Sequence, residues 1–255
     1  MNKIVLDLET QKSFDEVGGQ DNYDKLGVSI VGVYDYMHDK FMTFREEEIL
    51  QLQPLLEESE TIGFNIKNFD FAVLQPYLDI DVSKLKYLDI MEDFEKYAGH
   101  RIKLESLAQS NLGVGKSGSG LDALKYYKDG DFEKLAKYCL DDVKITRDLY
   151  NLGTKRAYLK YKSKFEDSEL AVPAGWGKKV SAGQAMSAFA RSHITRQPIE
   201  IDYVSRKIGE DKNPRKARKI QVLNFVQGGV EAQCFLKNQK QHFHPDRVIN
   251  IIKND

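Results

Sequence analysis

Alternation of apolar and polar positions marks the N-terminal third of the chain as strand-rich. Lys3-Ile4-Val5-Leu6-Asp7-Leu8-Glu9-Thr10 reads as a strand. Side chains alternate across a strand, so Asp7 and Glu9 share one face while Leu6 and Leu8 share the other. After a polar, glycine-containing stretch from Gln11 to Gly27, Val28 to Tyr36 and Lys40 to Phe44 read as two further strands, a hairpin turning at Met37-His38-Asp39. The period then lengthens. Ile49, Leu50, Leu52, Leu55 and Leu56 form an apolar stripe on a helix over Glu46 to Glu58. Thr61 to Asn65 reads as a short buried strand, and Asn68 to Tyr77 as a helix with Asn68 as N-cap and Phe71, Val73 and Leu74 facing inward. Lys86 to Asp89 is a fifth strand, and from Ile90 to Leu152 the pattern is mainly helical, broken by glycines at 99, 113 to 120 and 130. This order predicts an α/β fold with a mixed sheet flanked by helices.

The first strand poses a chemical question. Two acids on one face of a buried strand repel, and a divalent cation between them is the usual remedy; on a solvated edge strand they would be harmless. Further acids decide between these readings. Asp70 falls in the first turn of the helix that follows Gly63-Phe64-Asn65, where the helix dipole favours an acid. In Phe132 to Val143, Tyr138 and Asp142 stand four apart and so address the same point, whereas Asp141 is turned about 100° away.

Taken together, Asp7-Leu8-Glu9, Asn65 to Asp70, and Tyr138 to Asp142 resemble the three motifs of the DEDD exonuclease superfamily in its tyrosine-bearing branch. The histidine branch would need His where Lys137 stands. The middle motif is most similar to the proofreading domain of family B DNA polymerases and related stand-alone exonucleases, and the resemblance covers roughly residues 1 to 155. It implies a ribonuclease H-like fold and hydrolysis of phosphodiesters from the 3′ end towards the 5′ end with release of mononucleotides. It also implies Asp7, Glu9, Asp70 and Asp142 as ligands of two divalent cations, with Asp7 bridging, and Tyr138 as the group that orients water. Hard oxygen donors select Mg2+ or Mn2+. By the same resemblance, Thr10, Phe64 and Asn65 contact the 3′-terminal nucleotide; Phe64 reads equally as core.

Gly113-Val114-Gly115-Lys116-Ser117 superficially suggests a phosphate loop, but Ser110 stands where the pattern needs Gly and a helix precedes it. It reads instead as a flexible loop, with Lys116, like His100 and Arg101, assigned to substrate phosphate. Charge separates the two parts of the chain. Residues 1–150 hold 18 Lys/Arg against 29 Asp/Glu, and residues 151–255 hold 20 against 10. An acidic, metal-holding part is thus followed by a basic appendage over 156–255 suited to phosphates.

Within that appendage Tyr158, Tyr161 and Phe165 interleave with lysines, which suits base stacking or an ordinary amphipathic edge. Pro173 to Gly177 reads as a linker or turn, Ser181 to His193 as a helix and Lys212 to Lys219 as a basic loop. Phe225-Val226-Gln227-Gly228-Gly229 is weakly similar to the Tyr-x-Gly-Gly segment of family B polymerases, although no palm motif follows. His242 and His244 lack a nearby Cys or His partner for a metal. Cys139 and Cys234 form no disulfide framework, and no apolar run approaches the ~20 residues of a membrane span, so a cytoplasmic setting is expected. The expected substrate is a single-stranded DNA 3′ end. Alternatives are the exonuclease part of a split or truncated polymerase with a polymerase partner chain, an accessory binding module, and an RNA-processing exoribonuclease.

Overall fold

The computed structural model describes residues 1–115, 120–164, 166–210 and 212–252. Lys116 and Phe165, both singled out above, lie outside the described residues. The chain divides into two compact units. One comprises Met1–Glu95 and Arg101–Tyr150; the other takes Lys96–His100 and the chain from Asn151 onward.

The first unit is built on a five-stranded mixed sheet. In chain order its elements are β1 (Asn2–Thr10), β2 (Val28–Asp35), β3 (Lys40–Phe44), α1 (Ile49–Glu58), β4 (Ser59–Gly63), α2 (Asp70–Leu74) and β5 (Tyr87–Asp89). The helices α3 (Ile90–Ala98), α4 (Leu104–Leu112), α5 (Gly120–Lys128) and α6 (Phe132–Arg156) follow. The sheet order is β3-β2-β1-β4-β5. β1 pairs antiparallel with β2 and parallel with β4, so the strand bearing Asp7 and Glu9 is central and the edge-strand alternative falls away. Ile4, Leu6 and Leu8 sit in one core with Val31, Val33, Leu52, Leu56, Phe71 and Leu74. Leu135, Cys139 and Ala123 of the last two helices form a second cluster with Ile30.

Two local departures from the sequence expectation have clear causes. The helix expected over Asn68 to Tyr77 is shorter, Asp70–Leu74 continued by a tighter turn over Gln75–Tyr77, and Phe69 rather than Asn68 holds the N-cap position. The chain enters it through a compact turn: a Cβ on Gly63 would lie 2.6 Å from that of Ile66, and Asn65 has a φ of +66°. Similarly, the first residues of the Glu46 helix form a separate 3-10 turn before α1.

The second unit is a folded body rather than a tail. β6 (Tyr158–Lys162) and β7 (Glu169–Pro173) pair as an antiparallel ribbon. α7 (Ala182–Thr195) follows, then β8 (Ile199–Val204), β9 (Arg215–Val226), β10 (Gly229–Cys234), β11 (Gln239–Phe243) and β12 (Val248–Ile252). These five strands form an antiparallel sheet in the order β11-β10-β9-β8-β12. Phe189 and Ala185 of α7 are buried with Ile201, Ile220, Val222 and Val230 of that sheet. α7 starts where its capping box dictates: Ser181 Oγ accepts from Gln184 N–H at 3.2 Å, and Gln184 Oε1 accepts from Ser181 N–H at 2.8 Å.

Several expectations for this region are corrected. Tyr158 and Tyr161 are buried in β6, so they pack inward and cannot stack on bases. The basic run ending at Lys219 lies largely within β9, with Arg218 buried. Phe225 to Glu231 forms the end of β9, a tight turn and the start of β10. Pro173 to Gly177 does form a turn, the end of β7 followed by a 3-10 turn over Gly175–Gly177, and it also packs closely: a Cβ on Gly153 would lie 2.4 Å from the Trp176 ring, which only glycine avoids. Among the described residues, no helix is long and apolar enough to cross a membrane.

Candidate active site

The alternation of β1 puts Asp7 and Glu9 on one face of the sheet, and one glycine lets α6 approach closely there. Gly32 pairs with Asp7 across the β1–β2 ladder. A Cβ at Gly32 would lie 2.8 Å from Cys139 Sγ and 3.0 Å from Val143 Cγ2. The bare backbone thereby lets α6 settle onto β2, with Cys139 between the two functional positions of the helix. The Cys139 thiol donates to the Asp7 carbonyl at 3.4 Å, tying helix and strand together.

Asp7, Glu9 and Asp142 consequently converge. One oxygen from each lies within 4.8 Å of the others, and among the described residues this is the one group of acidic, His or Cys side chains so placed. Asp141 points elsewhere and pairs with Lys137 at 2.6 Å, as the helical rotation requires. His242 and His244 are neighbours at 5.1 Å between ring centres, outside any such group.

Asp70 joins the site through the backbone. The β1–β4 pairing runs from Asn2 opposite Ser59 to Val5 opposite Ile62; beyond it β4 turns away. The Leu8 N–H is then satisfied by Asp70 Oδ1 at 3.1 Å. Asp70 therefore borders Asp7 without belonging to the three-acid cluster.

Electrostatics reflect this crowding. Burial, then the charges of Asp70, Asp142 and Glu9, push the Asp7 carboxyl well above its ordinary range. Burial pushes Asp70 up to about 8 against the pull of its backbone hydrogen bonds, with Asp89 adding repulsion. Burial first, and then the charges of Asp7, Glu9 and Asp142, raise the Tyr138 phenol and the Cys139 thiol, keeping both protonated. An all-oxygen cluster whose members resist joint ionisation fits a hard divalent cation, which would relieve that repulsion.

The other residues singled out from sequence have more varied surroundings. The Thr10 hydroxyl donates to the Lys12 carbonyl at 2.9 Å, Phe64 is half-buried, and the Asn65 side chain accepts from Arg101 Nη2 at 2.5 Å. Arg101 thus braces the Asn65 turn, a role its sequence neighbourhood did not reveal. His100 belongs to the other unit, its ring 5.8 Å from that of Tyr161.

Asp89 was not singled out from sequence at all. Its buried carboxylate accepts backbone N–H bonds from Asn65 (2.9 Å), Lys67 (3.2 Å), Met91 (3.0 Å) and Glu92 (3.2 Å). It clamps the turn before Asp70 to the start of α3. An acid at the end of a predicted strand was the available signal, but its acceptor role exists only once the turn has folded.

Residues 5–153 match the sequence model of the RNase_H superfamily, a span containing all four acids and Tyr138. No curated protein matches the chain. Among solved structures, one of exonuclease I, described as suggesting how processivity is achieved, aligns with a TM-score of 0.42 and 10% identity. That alignment covers 91% of this chain and 55% of the other. An ExoI/SSB-Ct complex aligns with a TM-score of 0.40 and 11% identity over the same shares. The chain spans about half the length of these solved structures.

Proposed function

Because the chain belongs to the RNase_H superfamily, we propose that it is a 3′→5′ exonuclease on single-stranded DNA that releases mononucleotides with Mg2+ or Mn2+ as cofactor. The observation that carries this reading is the convergence of Asp7, Glu9 and Asp142 from two distant segments onto one point. Direction and the DNA preference come from the motif resemblance. Residues 1–155 form the proposed catalytic part and 156–255 a basic, substrate-binding part. Cys139 and Cys234 are both free and buried, which suits the reducing setting of a cytoplasmic enzyme.

Asp7 feels Asp70, Asp142 and Glu9 together, which suits it to be the shared ligand of two cations. Glu9 and Asp142 would hold a cation together with Asp7, and Asp70, held against the Leu8 amide, would contribute to a second cation beside them. When bound, the cations supply polarisation of water and neutralisation of charge at the attacked phosphate. Tyr138, its phenol raised by burial and by Asp142, stays protonated at neutral pH. It therefore orients the attacking water by hydrogen bond and does not act as the base. Thr10, Phe64 and Asn65 are the proposed contacts of the terminal nucleotide.

The test is digestion of a 5′-labelled single strand, DNA beside RNA, with Mg2+, Mn2+ and EDTA lanes. A DNA ladder shortening from the unlabelled end in the metal lanes alone is expected. Digestion that persists in EDTA, or release of the labelled nucleotide first, contradicts the proposal; digestion confined to RNA replaces the substrate.

A further inference from the structure

A cavity of about 630 Å3 opens in the second unit beside the connection between β8 and β9, near β11 and the segment that follows it. Its volume is typical of ligand sites, which run from about 300 to 1,000 Å3. Arg206, Lys207, Lys216, Arg218, Lys237 and Arg247 line it, and among the described residues no Asp or Glu does.

Two of these cations are held inside by neutral partners. Arg218 is only 5% exposed, and its Nη2 donates to Ser205 Oγ at 3.4 Å. Arg247 donates from Nη1 to the carbonyls of Ala171 (3.3 Å) and Val204 (3.2 Å). Burial holds the Arg247 guanidinium below its usual value, and Arg206 adds like-charge repulsion while nearby tyrosines oppose both. The same unit neutralises arginine where structure alone requires it: Arg215, at the start of the same strand as Arg218, makes an ion pair with Asp202 at 2.5 Å. Gathering cations in a concavity that, among the described residues, has no carboxylate lining is unfavourable for the free protein and creates a positive field that favours an anion.

The cavity also has surfaces a small anion would not use. The exposed rings of His242 and His244 stand 5.1 Å apart, tilted by 52°, and Leu236 is 60% exposed. Flat and apolar faces beside guanidinium groups are the combination that binds single strands, through stacking and phosphate contact together.

We propose that this cavity binds a segment of single-stranded nucleic acid, phosphates on the arginines and lysines and bases against the imidazoles and Leu236. Binding here needs none of the four acids and so stands independently of the proposed chemistry.

The experiment is fluorescence anisotropy of a labelled oligothymidine with the full chain in EDTA, across a salt series. The Arg206→Glu/Lys237→Glu double variant changes two exposed cavity positions and should weaken binding about tenfold or more. It should also flatten the salt slope by about 1.4, roughly 0.7 for each single-strand phosphate that is no longer neutralised. Lys155→Glu/Arg191→Glu makes the same charge change at exposed positions outside the cavity and should weaken binding much less. Should the cavity pair unfold, as read by circular dichroism, Lys207→Glu gives the same test at a single position. Equal weakening in both pairs, or none in the cavity variants, overturns the proposal. So does full displacement of the oligonucleotide by inorganic pyrophosphate at equal phosphate concentration, which would mark a small-anion site. Asp7→Ala protein should still bind in this assay, so failure here and failure of the catalytic reading are told apart.

Discussion

Gly32 faces Asp7 across the β1–β2 ladder, and the space where its side chain would be is filled by Cys139 and Val143 of α6. The absent side chain sets the depth at which the helix meets the strand, and with it the meeting of Asp142 with Asp7 and Glu9. Gly32→Val should destabilise the first unit by about 1 to 3 kcal/mol through overpacking. It should also lower metal-dependent digestion by an order of magnitude or more, since a displaced helix carries Tyr138 and Asp142 with it. Urea denaturation and initial rates on a labelled strand check both effects; a stable protein with full activity would show that the close approach is dispensable.

Removing single members of the acid cluster should separate ligands from the water-orienting group. Asp7→Ala and Asp142→Ala should abolish digestion and the rise in unfolding temperature that Mn2+ produces. Tyr138→Phe should retain that rise and keep a measurable rate, because the phenol holds no cation in this scheme. Thermal unfolding with and without Mn2+ provides a readout that does not depend on turnover.

The raised carboxyls make stability fall with pH when metal is removed. Asp70, up at about 8 in the fold, holds a proton that the unfolded chain surrenders near the ordinary carboxyl value of 3.8. Asp7 shifts the same way. The folded state therefore binds more protons across that window, and stability in EDTA declines from about pH 4 to about pH 8. Added Mn2+ should reverse the trend, because binding displaces those protons and tightens as pH rises. Urea denaturation at several pH values in EDTA should give this slope for the native sequence and a flatter one for Asp70→Asn.

Asp89 is predicted to matter for position rather than chemistry. Asp89→Ala leaves backbone N–H groups of Asn65, Lys67, Met91 and Glu92 without their acceptor. A loss of about 2 to 4 kcal/mol is expected for several amides left unsatisfied together. Digestion should fall with an increase in KM, since Asn65 and Arg101 move with the turn, while Asp89→Asn should recover part of both. An Asp89→Ala protein of unchanged stability would remove Asp89 from this role.

The order of strands and helices in the first unit, and the face shared by Asp7 and Glu9, were legible because both follow from local periodicity. A strand repeats every two residues and a helix every 3.6, so Leu6 and Leu8 declare the core side of β1, and Tyr138 and Asp142 declare one face of α6, without knowledge of any partner. The second unit was read poorly for the same reason. Lys212 to Lys219 has the composition of a loop, yet β9 begins within it at Arg215 because β8 pairs with it there, from Val204 opposite Arg215 to Glu200 opposite Lys219. Such pairing is a long-range property.

By itself the sequence determined the acid set, the periodicities that place each acid on an element, and the contrast in charge between the two parts. Only the tertiary structure decided that Gly32 admits α6 against Asp7, that Asp70 replaces a strand as partner of the Leu8 amide, and that buried Arg218 faces a cavity lined, among the described residues, by no acid. Those three outcomes depend on distances between residues far apart in the chain. Close approach and burial are set by packing, which no local pattern encodes.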